Sequence, residues 1–381
     1  MSEHLTRGEE EKTPGHRMKR HWKIAVVANI KDHNTTIWAD SSPEIAAEYD
    51  PIETVIDIRQ VLENDGHKTV FIPADNNFPK LITRERFDIC FNLAEGLGGE
   101  ARESQVPAML EFLRIPYTGS RVLANAISLN KTLAKRIWRD NKLPVAPFQE
   151  FNKGDEQLQP DLVFPLFVKP SREGAGAGIA LSSIVQNEDE LRRYAGWIIS
   201  SFKQPALVET FLPGREFTVG ILGNPENDRY PDWYTNNGYH FFPITEVETS
   251  KSVTPGVYSK TLKEKNVGEI GGAETLCPAT IDAELEKQIY SLALQAHNAI
   301  SALDVSRTDI RLNINGEPTL MEINTLPGLT KNYSDLCLQA QADGTSYADL
   351  ILEILYLGAG RWGMLEPREL PSEINKKSVI R

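Results

Sequence analysis

The sequence has few cysteines and lacks an excess of positive charge. Its three cysteines, Cys90, Cys277 and Cys337, are too few and too widely spaced for a disulfide framework, so we expect a cytoplasmic protein with reduced thiols. The 53 acidic residues outnumber the 41 basic ones and give a net charge of -12. This balance argues against a nucleic-acid partner, because binding to phosphate backbones needs clustered lysine and arginine.

Long apolar runs are also absent. No segment approaches the ~18 to 20 consecutive apolar residues of a membrane span, and residues 1–20 lack the apolar core of a secretory signal. We therefore expect no membrane partner, a disordered leader over residues 1–20 and a loosely held tail over 361–381. The 381 residues exceed one comfortable hydrophobic core, so two or three domains are expected.

Alternating strands and helices characterise the first part of the chain. Compact apolar runs predict strands at Lys23–Ala28, Thr69–Ile72 and Phe87–Asn92. Apolar residues at helical spacing predict a helix over Pro51–Asn64, which Asp65-Gly66 ends. This alternation indicates an α/β fold with a parallel sheet.

A glycine-rich segment lies between predicted strands in the middle of the chain. Pro170–Gly178 follows the predicted strand Leu162–Lys169 and precedes another at Ile179–Leu181. The bare backbone N–H groups of such a loop could cradle phosphate; a mobile surface hairpin is the alternative. The other predicted elements are helices at 103–113, 130–140, 187–202 and 281–303, strands at 206–211 and 216–222, a linker at 143–147 and a mobile lid at 250–272.

Near the C-terminus, an Asn315-Gly316 pair separates two alternating apolar runs, which is a strong hairpin signal. With a two-residue turn, Asp309 faces Glu322 and Arg307 faces Asn324, all on one side. Facing carboxylates repel each other, and hard oxygen ligands without Cys or His suit Mg²⁺. The hairpin thus predicts a magnesium site, or else an ordinary hairpin with a solvated acidic face. The opposite side is predicted to pack into a core through Ile310, Leu312, Ile314, Met321 and Ile323.

Five motifs occur in an order that resembles the ATP-grasp enzymes, above all the D-alanine–D-alanine ligases. They are Lys131, Val168-Lys169-Pro170 with its glycine loop, Val208-Glu209 through Glu216, Arg307-x-Asp309, and Glu322-Ile-Asn324 through Gly328. The resemblance implies a three-part α/β ATP-grasp architecture. Its parts are an N-terminal parallel-sheet substrate domain (21–125), a central α+β subdomain with a glycine-rich flap (126–215) and a C-terminal α+β subdomain with the magnesium site (216–360).

The resemblance also implies an ATP site. Lys131 and Lys169 match two lysines that reach the phosphates, and Glu216 matches the carboxylate that accepts the ribose hydroxyls. The flap above the phosphates is Gly174, Ala175 and Gly176. The hinge whose backbone binds adenine is Glu209, Thr210, Phe211 and Leu212.

The reaction follows from the same resemblance. A substrate carboxylate attacks the γ-phosphorus of ATP to give an acyl phosphate, and an amine then attacks the activated carbonyl. Arg307 and the N–H of Gly328 match the donors to the resulting oxyanion, and Lys260 matches a loop lysine that reaches the γ-phosphate. The implied ligands of two Mg²⁺ ions, with Mn²⁺ as an alternative, are Asp309, Glu322 and Asn324.

The sequence departs from the family at the substrate pocket. The ligases have a Gly-Gly turn after the first strand and a later glutamate that holds the ammonium of the first D-alanine. Here the turn reads Asn29-Ile-Lys-Asp32, and Glu48 is a loose candidate for the glutamate. The loop Glu95–Glu103 is either a new recognition element or a solvated acidic loop. The positions predicted to contact the altered substrates are Glu95 (a histidine in the family), Thr261 (a tyrosine), Tyr333 and Ser334, while Ala175 replaces a serine.

We therefore predict an ATP-dependent carboxylate–amine ligase with a changed substrate, whose product is a dipeptide or amino-acid conjugate of specialised metabolism. One alternative is a true D-alanine–D-alanine ligase of cell-wall synthesis. A second is an ATP-binding regulatory protein without turnover. The resemblance also implies a homodimer and small-molecule partners, an amino acid among them.

Overall fold

A computed structural model of the chain describes residues 21–31, 48–225, 227, 233–248, 257 and 274–365. The predicted leader, residues 366–381 of the predicted tail and all of the predicted lid except Val257 lie outside the described residues. None of the helices in the described ranges combines the length and the apolar sequence that a membrane span requires.

The apolar run Lys23–Ala28 forms the central strand of a three-stranded parallel sheet, in the order β2-β1-β3. Every residue of β3 is buried, as expected for a parallel strand covered on both faces. Three helices pack around this sheet, and a fourth follows them in the chain to complete the N-terminal unit. Its elements are β1 (Lys23–Ala28), α1 (Ile52–Asn64), β2 (Lys68–Pro73), α2 (Phe78–Ile82), β3 (Ile89–Leu93), α3 (Gln105–Leu113) and α4 (Val122–Leu129).

A four-stranded antiparallel sheet in the order β4-β7-β5-β6 forms the middle of the chain. Its apolar face packs against the helix Glu188–Phe202, which Asn187 caps by accepting a hydrogen bond from the N–H of Glu190. The elements are α5 (Lys131–Asp140), β4 (Phe148–Phe151), β5 (Leu166–Pro170), β6 (Ile184–Val185), α6 (Glu188–Phe202) and β7 (Ala206–Thr210).

The strand predicted at Ile179–Leu181 is wrong. Residues Leu181–Ser183 form a single 3-10 turn, and Ile184–Val185 is the segment that pairs with β5. The reason is local: the Ser183 Oγ accepts a hydrogen bond from the N–H of Ala180 at 3.1 Å. Such serine bonds offer the backbone an alternative to a sheet ladder.

A six-stranded sheet forms the C-terminal unit, in the order β11-β10-β8-β12-β13 with β9 paired to β8. The helix predicted over 281–303 is shorter, because Asp282 caps its start and Ser301, at φ +58°, lies just beyond its end. The elements are β8 (Glu216–Gly223), β9 (Tyr239–Phe241), β10 (Thr245–Glu248), β11 (Glu274–Leu276), α7 (Ala283–Ala299), β12 (Asp304–Leu312), β13 (Pro318–Asn324), α8 (Asp335–Ala342) and α9 (Tyr347–Arg361).

Candidate active site

The hairpin β12–β13 brings the two predicted acids together. Asp309 pairs with Glu322 and Arg307 pairs with Asn324, so the predicted register is confirmed at these four positions. Directly paired residues of an antiparallel ladder carry their side chains on the same face of the sheet. The acids are therefore not splayed onto different surfaces.

The two-residue turn predicted for this hairpin is wrong. Asn313 and Glu317 close a three-residue loop, in which Gly316 adopts φ +79° and its N–H donates to the Asn313 carbonyl at 3.0 Å. The Asn313 Oδ1 accepts hydrogen bonds from the N–H groups of Asn315 and Glu317, at 2.8 and 3.0 Å, which holds the longer loop. Ile314, predicted to be in the core, lies in this loop and is 82% exposed.

A bulge restores the register beyond the turn. The ladder shifts between Asp309 and Ile310, because Met321 is an extra residue between the partners of these two. Consequently Leu320, which is fully buried, occupies the core position that the sequence assigns to Met321. Ile310, Leu312 and Ile323 are buried as predicted.

Asp309 lies beside Arg307 and a threonine of β8. Its Oδ1 accepts a hydrogen bond from the Thr218 Oγ1 at 2.7 Å, and the Arg307 Nε lies 3.4 Å from the same oxygen. Arg307 also reaches the Asp335 Oδ2 at 3.3 Å. Burial alone would lower the pKa of Arg307, but Asp309 and Asp335 raise it well above its usual range. Arg307 is thus a permanently charged donor on the face of the hairpin that carries the acids.

Lys131 connects the second acid to the glycine loop. Its Nζ lies 3.4 Å from the Glu322 Oε2 and donates a hydrogen bond to the backbone carbonyl of Glu173. Lys131 is the first residue of α5 and is 6% exposed. An acid predicted to hold metal, a lysine predicted to bind phosphate and the root of the loop therefore meet at one point.

The donor set of the hairpin fits Mg²⁺. Asp309 and Glu322 supply carboxylate oxygens and Asn324 an amide oxygen, which also accepts a hydrogen bond from the Leu326 N–H at 2.8 Å. Among the described residues, no group of three or more His, Cys, Asp or Glu side chains could hold a metal ion. Two carboxylates are enough for Mg²⁺, because this ion keeps several waters and shares the oxygens of substrate phosphates.

Lys169 is buried against Glu209 at the end of β5. Its Nζ lies 2.9 Å from the Glu209 Oε1, and the Lys135 Nζ lies 2.8 Å from the Oε2 of the same carboxylate. Burial would raise the pKa of Glu209, but the two lysines lower it. Burial lowers the pKa of Lys169, while Glu209, Glu322 and Glu216 together raise it. The Lys169 ammonium is thus paired with Glu209 and lies in the electrostatic field of Glu322 and Glu216.

Sequence reasoning missed Lys135. It is fully buried and also donates to the Leu320 carbonyl at 3.0 Å. The signal was its position four residues after Lys131, since residues four apart share one face of a helix. That spacing alone does not distinguish a buried ligand from an ordinary surface lysine.

The predicted hinge residues lie at the end of β7: Glu209 and Thr210 are its last two residues, and Phe211 and Leu212 follow it. The N–H groups of Thr210 and Phe211 donate to the carbonyls of Pro147 and Pro165, at 3.0 and 3.2 Å. Leu212 follows them, and Glu216 begins β8 with its Oε2 3.4 Å from the Arg311 Nη1. The backbone positions of the hinge are therefore fixed by the surrounding protein.

The glycine loop is folded back on itself. The Ala177 N–H donates to the Gly174 carbonyl at 2.9 Å, and Ala175 and Gly176 adopt φ +49° and +74°. Gly178 must be glycine, because a Cβ there would lie 2.6 Å from Pro170 and 2.9 Å from Phe202. The loop thus has a defined shape in which its residues 172–174 face the N-terminal unit.

A cavity lies between the N-terminal unit and the segment after β13. Gly328 lines it together with Glu48, Asp50, Asn92 and Glu95. Of the two other predicted substrate contacts in the described residues, Ser334 is adjacent, since a Cβ on Gly328 would lie 2.9 Å from its Oγ. Tyr333 is 59% exposed and does not line this cavity. Lys260 and Thr261 lie outside the described residues.

The loop Glu95–Glu103 is not simply a solvated acidic loop. Arg102 and Glu103 are 3% and 8% exposed. Burial, with Glu103 and Glu48 nearby, raises the pKa of Glu95 well above its usual range. Burial also raises the pKa of Asp50 to about 7, although Lys31 opposes it. Asp50 and Glu95, which both line the cavity, therefore hold their protons more tightly than exposed carboxyl groups do.

The comparisons with known proteins point to one family. The model of the D-ala D-ala ligase C-terminus matches residues 137–356. A protein of Sinorhizobium fredii, itself uncharacterised, is 33% identical over 311 residues, covering 79% of this chain and 86% of its own. The D-alanine–D-alanine ligases of Geotalea uraniireducens and Geobacter sulfurreducens are 32% and 30% identical, covering 79% and 78% of this chain and 88% and 86% of their own.

Solved structures share the fold. The D-alanine–D-alanine ligase of Bacillus anthracis complexed with ATP superposes with a TM-score of 0.66 at 22% identity, covering 90% of this chain and 99% of its own. Another structure of the same protein gives a TM-score of 0.67 at 23% identity, covering 90% of this chain and 98% of its own. The α/β architecture with a parallel N-terminal sheet and two antiparallel sheets is the ATP-grasp fold.

Proposed function

The chain belongs to the D-alanine–D-alanine ligase family of ATP-grasp enzymes, and we propose that it joins a carboxylate to an amine and that these two substrates are not both D-alanine. As a member of this family it is an ATP-dependent ligase that forms C–N bonds. The observation that carries the proposed chemistry is the convergence of Arg307, Asp309, Glu322 and Asn324 on one face of a hairpin, beside Lys131.

The nucleotide would be held between the two antiparallel sheets. Lys131 and Lys169 bind its phosphates as point charges, and Gly174, Ala175 and Gly176 cover them. Asp309, Glu322 and Asn324 would hold Mg²⁺, which neutralises phosphate charge when bound. Hinge residues 209–212 bind adenine, and Glu216 accepts the ribose hydroxyls.

The reaction has two steps. A carboxylate oxygen of the first substrate attacks the γ-phosphorus of ATP, the bond to the β–γ bridging oxygen breaks, and ADP leaves. The amine of the second substrate then attacks the acyl phosphate carbon, and inorganic phosphate leaves with loss of one proton from the nitrogen. Arg307 and the Gly328 N–H donate hydrogen bonds to the oxygen that becomes negative in this second step.

The acidic cavity supports a changed substrate. Glu48, Asp50 and Glu95 line it beside Gly328, and by the resemblance Glu95 stands where the family has a histidine. A pocket built to hydrogen-bond particular groups discriminates strongly against substrates that lack them. We infer that the first substrate carries a cationic group toward Glu95, and that Ser334, Tyr333 and Thr261 serve the second. An amino-acid conjugate of specialised metabolism is the product class that fits.

We also propose a division of the chain into three parts. Residues 21–125 would form the substrate domain, 126–215 the subdomain of the glycine flap and 216–360 the subdomain of the metal site. Lys260 would reach the γ-phosphate from the lid over 250–272, which excludes water from the acyl phosphate. On family grounds we propose a cytoplasmic homodimer.

A true D-alanine–D-alanine ligase is the second candidate. Glu48 favours it, because this carboxylate lies in the cavity where the ammonium of a first D-alanine would need a partner. Arg102 already neutralises Glu48, however, and this ion pair supports the changed substrate instead. The second candidate needs only D-alanine as its amino-acid substrate, whereas the first needs a different pair of substrates.

The test is ATP turnover with a panel of amino acids and related amines. The purified chain, ATP and Mg²⁺ are incubated with each pair, and ADP and product mass are followed. We expect amino-acid-dependent ADP release with a mass equal to condensation, from a pair other than D-alanine with itself. If D-alanine alone suffices, the second candidate is correct. If ATP binds and no pair yields ADP, the chain has no ligase activity and acts by binding ATP.

A further inference from the structure

A buried ion pair joins the N-terminal unit to the glycine loop. The Arg102 guanidinium pairs with the Glu48 carboxylate, and these side chains are 4% and 6% exposed. The Arg102 Nη1 donates to the Arg172 carbonyl at 2.8 Å, and the Gly174 N–H donates to the Glu48 Oε1 at 2.5 Å. Each partner of the pair therefore holds one backbone group of the loop.

Arginine is suited to this position. A buried carboxylate needs a positive partner and satisfied oxygens, because breaking a buried pair is costly. The planar guanidinium can bind a carboxylate through one nitrogen and a carbonyl through another, which the single ammonium of lysine does less well. Burial would lower the pKa of Arg102, but Glu48, Glu103 and Glu173 raise it well above its usual range, so the group stays charged.

The contact with the loop is close. A Cβ on Gly174 would lie 2.9 Å from the Glu48 Oε1, so the carboxylate approaches the bare backbone. Glu173, between the two held residues, accepts a hydrogen bond from Lys131 through its carbonyl. Three successive loop residues are thus held in place. Side chains of the N-terminal unit bind two of them, and Lys131 binds the third.

Glu48 also borders the cavity that contains Gly328 and Asn92. The Asn92 Nδ2 is buried and has no hydrogen-bond partner among the described residues, so it is an available donor there. One carboxylate consequently stands between the substrate cavity and the loop over the phosphates. Glu48 therefore connects the lining of the cavity to the position of the glycine loop.

We propose that Arg102 is a positioning residue that, through Glu48, holds the glycine loop closed while the acyl phosphate waits for the amine. This inference rests on the proposed function. Without Arg102, the loop opens and water attacks the acyl phosphate carbon, the bond to the phosphoryl oxygen breaks, and carboxylic acid and inorganic phosphate form. The net reaction of such a cycle is ATP and water to ADP and phosphate, so the variant consumes ATP without ligation.

The experiment measures product formed per ADP released, with the substrate pair found for the full chain. We expect Arg102→Met to lower this ratio by roughly tenfold or more, since small misplacements cost large factors in rate. Arg102→Lys should recover part of it. The matched control is Arg361→Met, which breaks another buried ion pair, to Asp304 at 3.0 Å, far from the loop along the chain. It should lose stability with an unchanged ratio.

A double variant separates positioning from stability. Replacing a buried pair by apolar residues is often neutral or stabilising, so Arg102→Met with Glu48→Met should regain folding stability while the ratio stays low. A ratio that recovers with stability, or one that Arg102→Met never changes, overturns the proposal.

A second measurement tests the role of Arg102 even if no ligation is observed. Hydrogen exchange of the loop amides needs no turnover and is measured in the full chain with ATP. We expect the Gly174 amide to exchange faster in Arg102→Met than in the parent chain and in Arg361→Met. Equal exchange in all three proteins contradicts the role of Arg102, whether or not ligation is observed.

Discussion

At the scale of single residues, Glu322 connects the most predicted roles. Its carboxylate faces Asp309 across the hairpin and lies 3.4 Å from the Lys131 Nζ. A glutamine in its place keeps the shape of the side chain but loses the charge that the proposed magnesium ion and Lys131 would both require. In the proposed site the role of Glu322 is therefore electrostatic.

We expect Glu322→Gln to reduce kcat by roughly a hundredfold or more, as removal of a transition-state stabilising group does. The thermal midpoint should change little, because the side chain stays at the edge of the sheet. Steady-state ADP release and thermal unfolding check this. Glu286→Gln, on the exposed face of α7, is the control. Full activity in Glu322→Gln would show that the metal assignment is wrong.

The buried carboxyl group of Asp50 makes the stability of the folded chain depend on pH. Burial raises its pKa from 3.8 to about 7 in the folded chain, so the folded state binds a proton more tightly than the unfolded state does. The stabilisation from the proton bound to Asp50 is complete below pH ~4 and is lost as the pH rises through the pKa of the folded state. The effect on the free energy of unfolding amounts to a few kcal/mol, since a pKa difference of one corresponds to about 1.4 kcal/mol.

The Asp50→Asn variant tests this pH dependence. Its free energy of unfolding, relative to the parent chain, should rise between pH ~4 and ~8, because asparagine mimics the protonated acid at every pH. Urea unfolding at several pH values measures the difference. Asp161→Asn, at an exposed position, should show no such trend. A pH-independent difference for Asp50→Asn rules out a buried, protonated carboxyl group.

At the scale of elements, β8 is the strand against which the site is built. It pairs with β12 along Asp304–Arg311, and its Gly220 faces α8. A Cβ on Gly220 would lie 2.5 Å from Leu336 and 2.6 Å from Gln339. The strand approaches the helix that carries Asp335, the second partner of Arg307, only because this residue is glycine.

Gly220→Ala should therefore destabilise the chain by about 1 to 3 kcal/mol through overpacking and lower activity by moving α8 away from Arg307. The matched control is Gly196→Ala in α6, where an added Cβ meets nothing within 4 Å. That change should stabilise the chain by up to ~1 kcal/mol, as alanine does in a helix. Denaturant unfolding compares the two; equal effects would refute the packing described for β8.

The hairpin shows how far sequence reasoning reaches at this scale. Alternation and the Asn-Gly pair predict the facing of Asp309 and Glu322, and this is confirmed. The turn is nevertheless one residue longer than predicted, and the bulge at Met321 compensates for it. Hydrophobic periodicity predicts neither the side-chain hydrogen bonds of Asn313 nor the bulge, because both depend on local hydrogen bonds.

At the scale of the whole molecule, the α/β class and the order of the main motifs were predictable, while the buried ion pairs and the fully buried C-terminal helix were not. Helix α9, Tyr347–Arg361, was not predicted, because its residues 350–359 are buried on all sides and show no amphipathic stripe. The ion pair of Arg102 with Glu48 joins residues 54 positions apart, and only the folded chain brings them together. The charge pairs that shape the site are thus properties of the tertiary structure.

The central claim is that a substrate carboxylate takes the γ-phosphoryl group before the amine attacks. Carboxylate substrate labelled with ¹⁸O tests it most directly, with the released inorganic phosphate examined by mass spectrometry. We expect one ¹⁸O atom in each phosphate released per ligation, because the carboxylate oxygen that attacks phosphorus leaves with it. Product formation accompanied by unlabelled phosphate would contradict an acyl phosphate at this site.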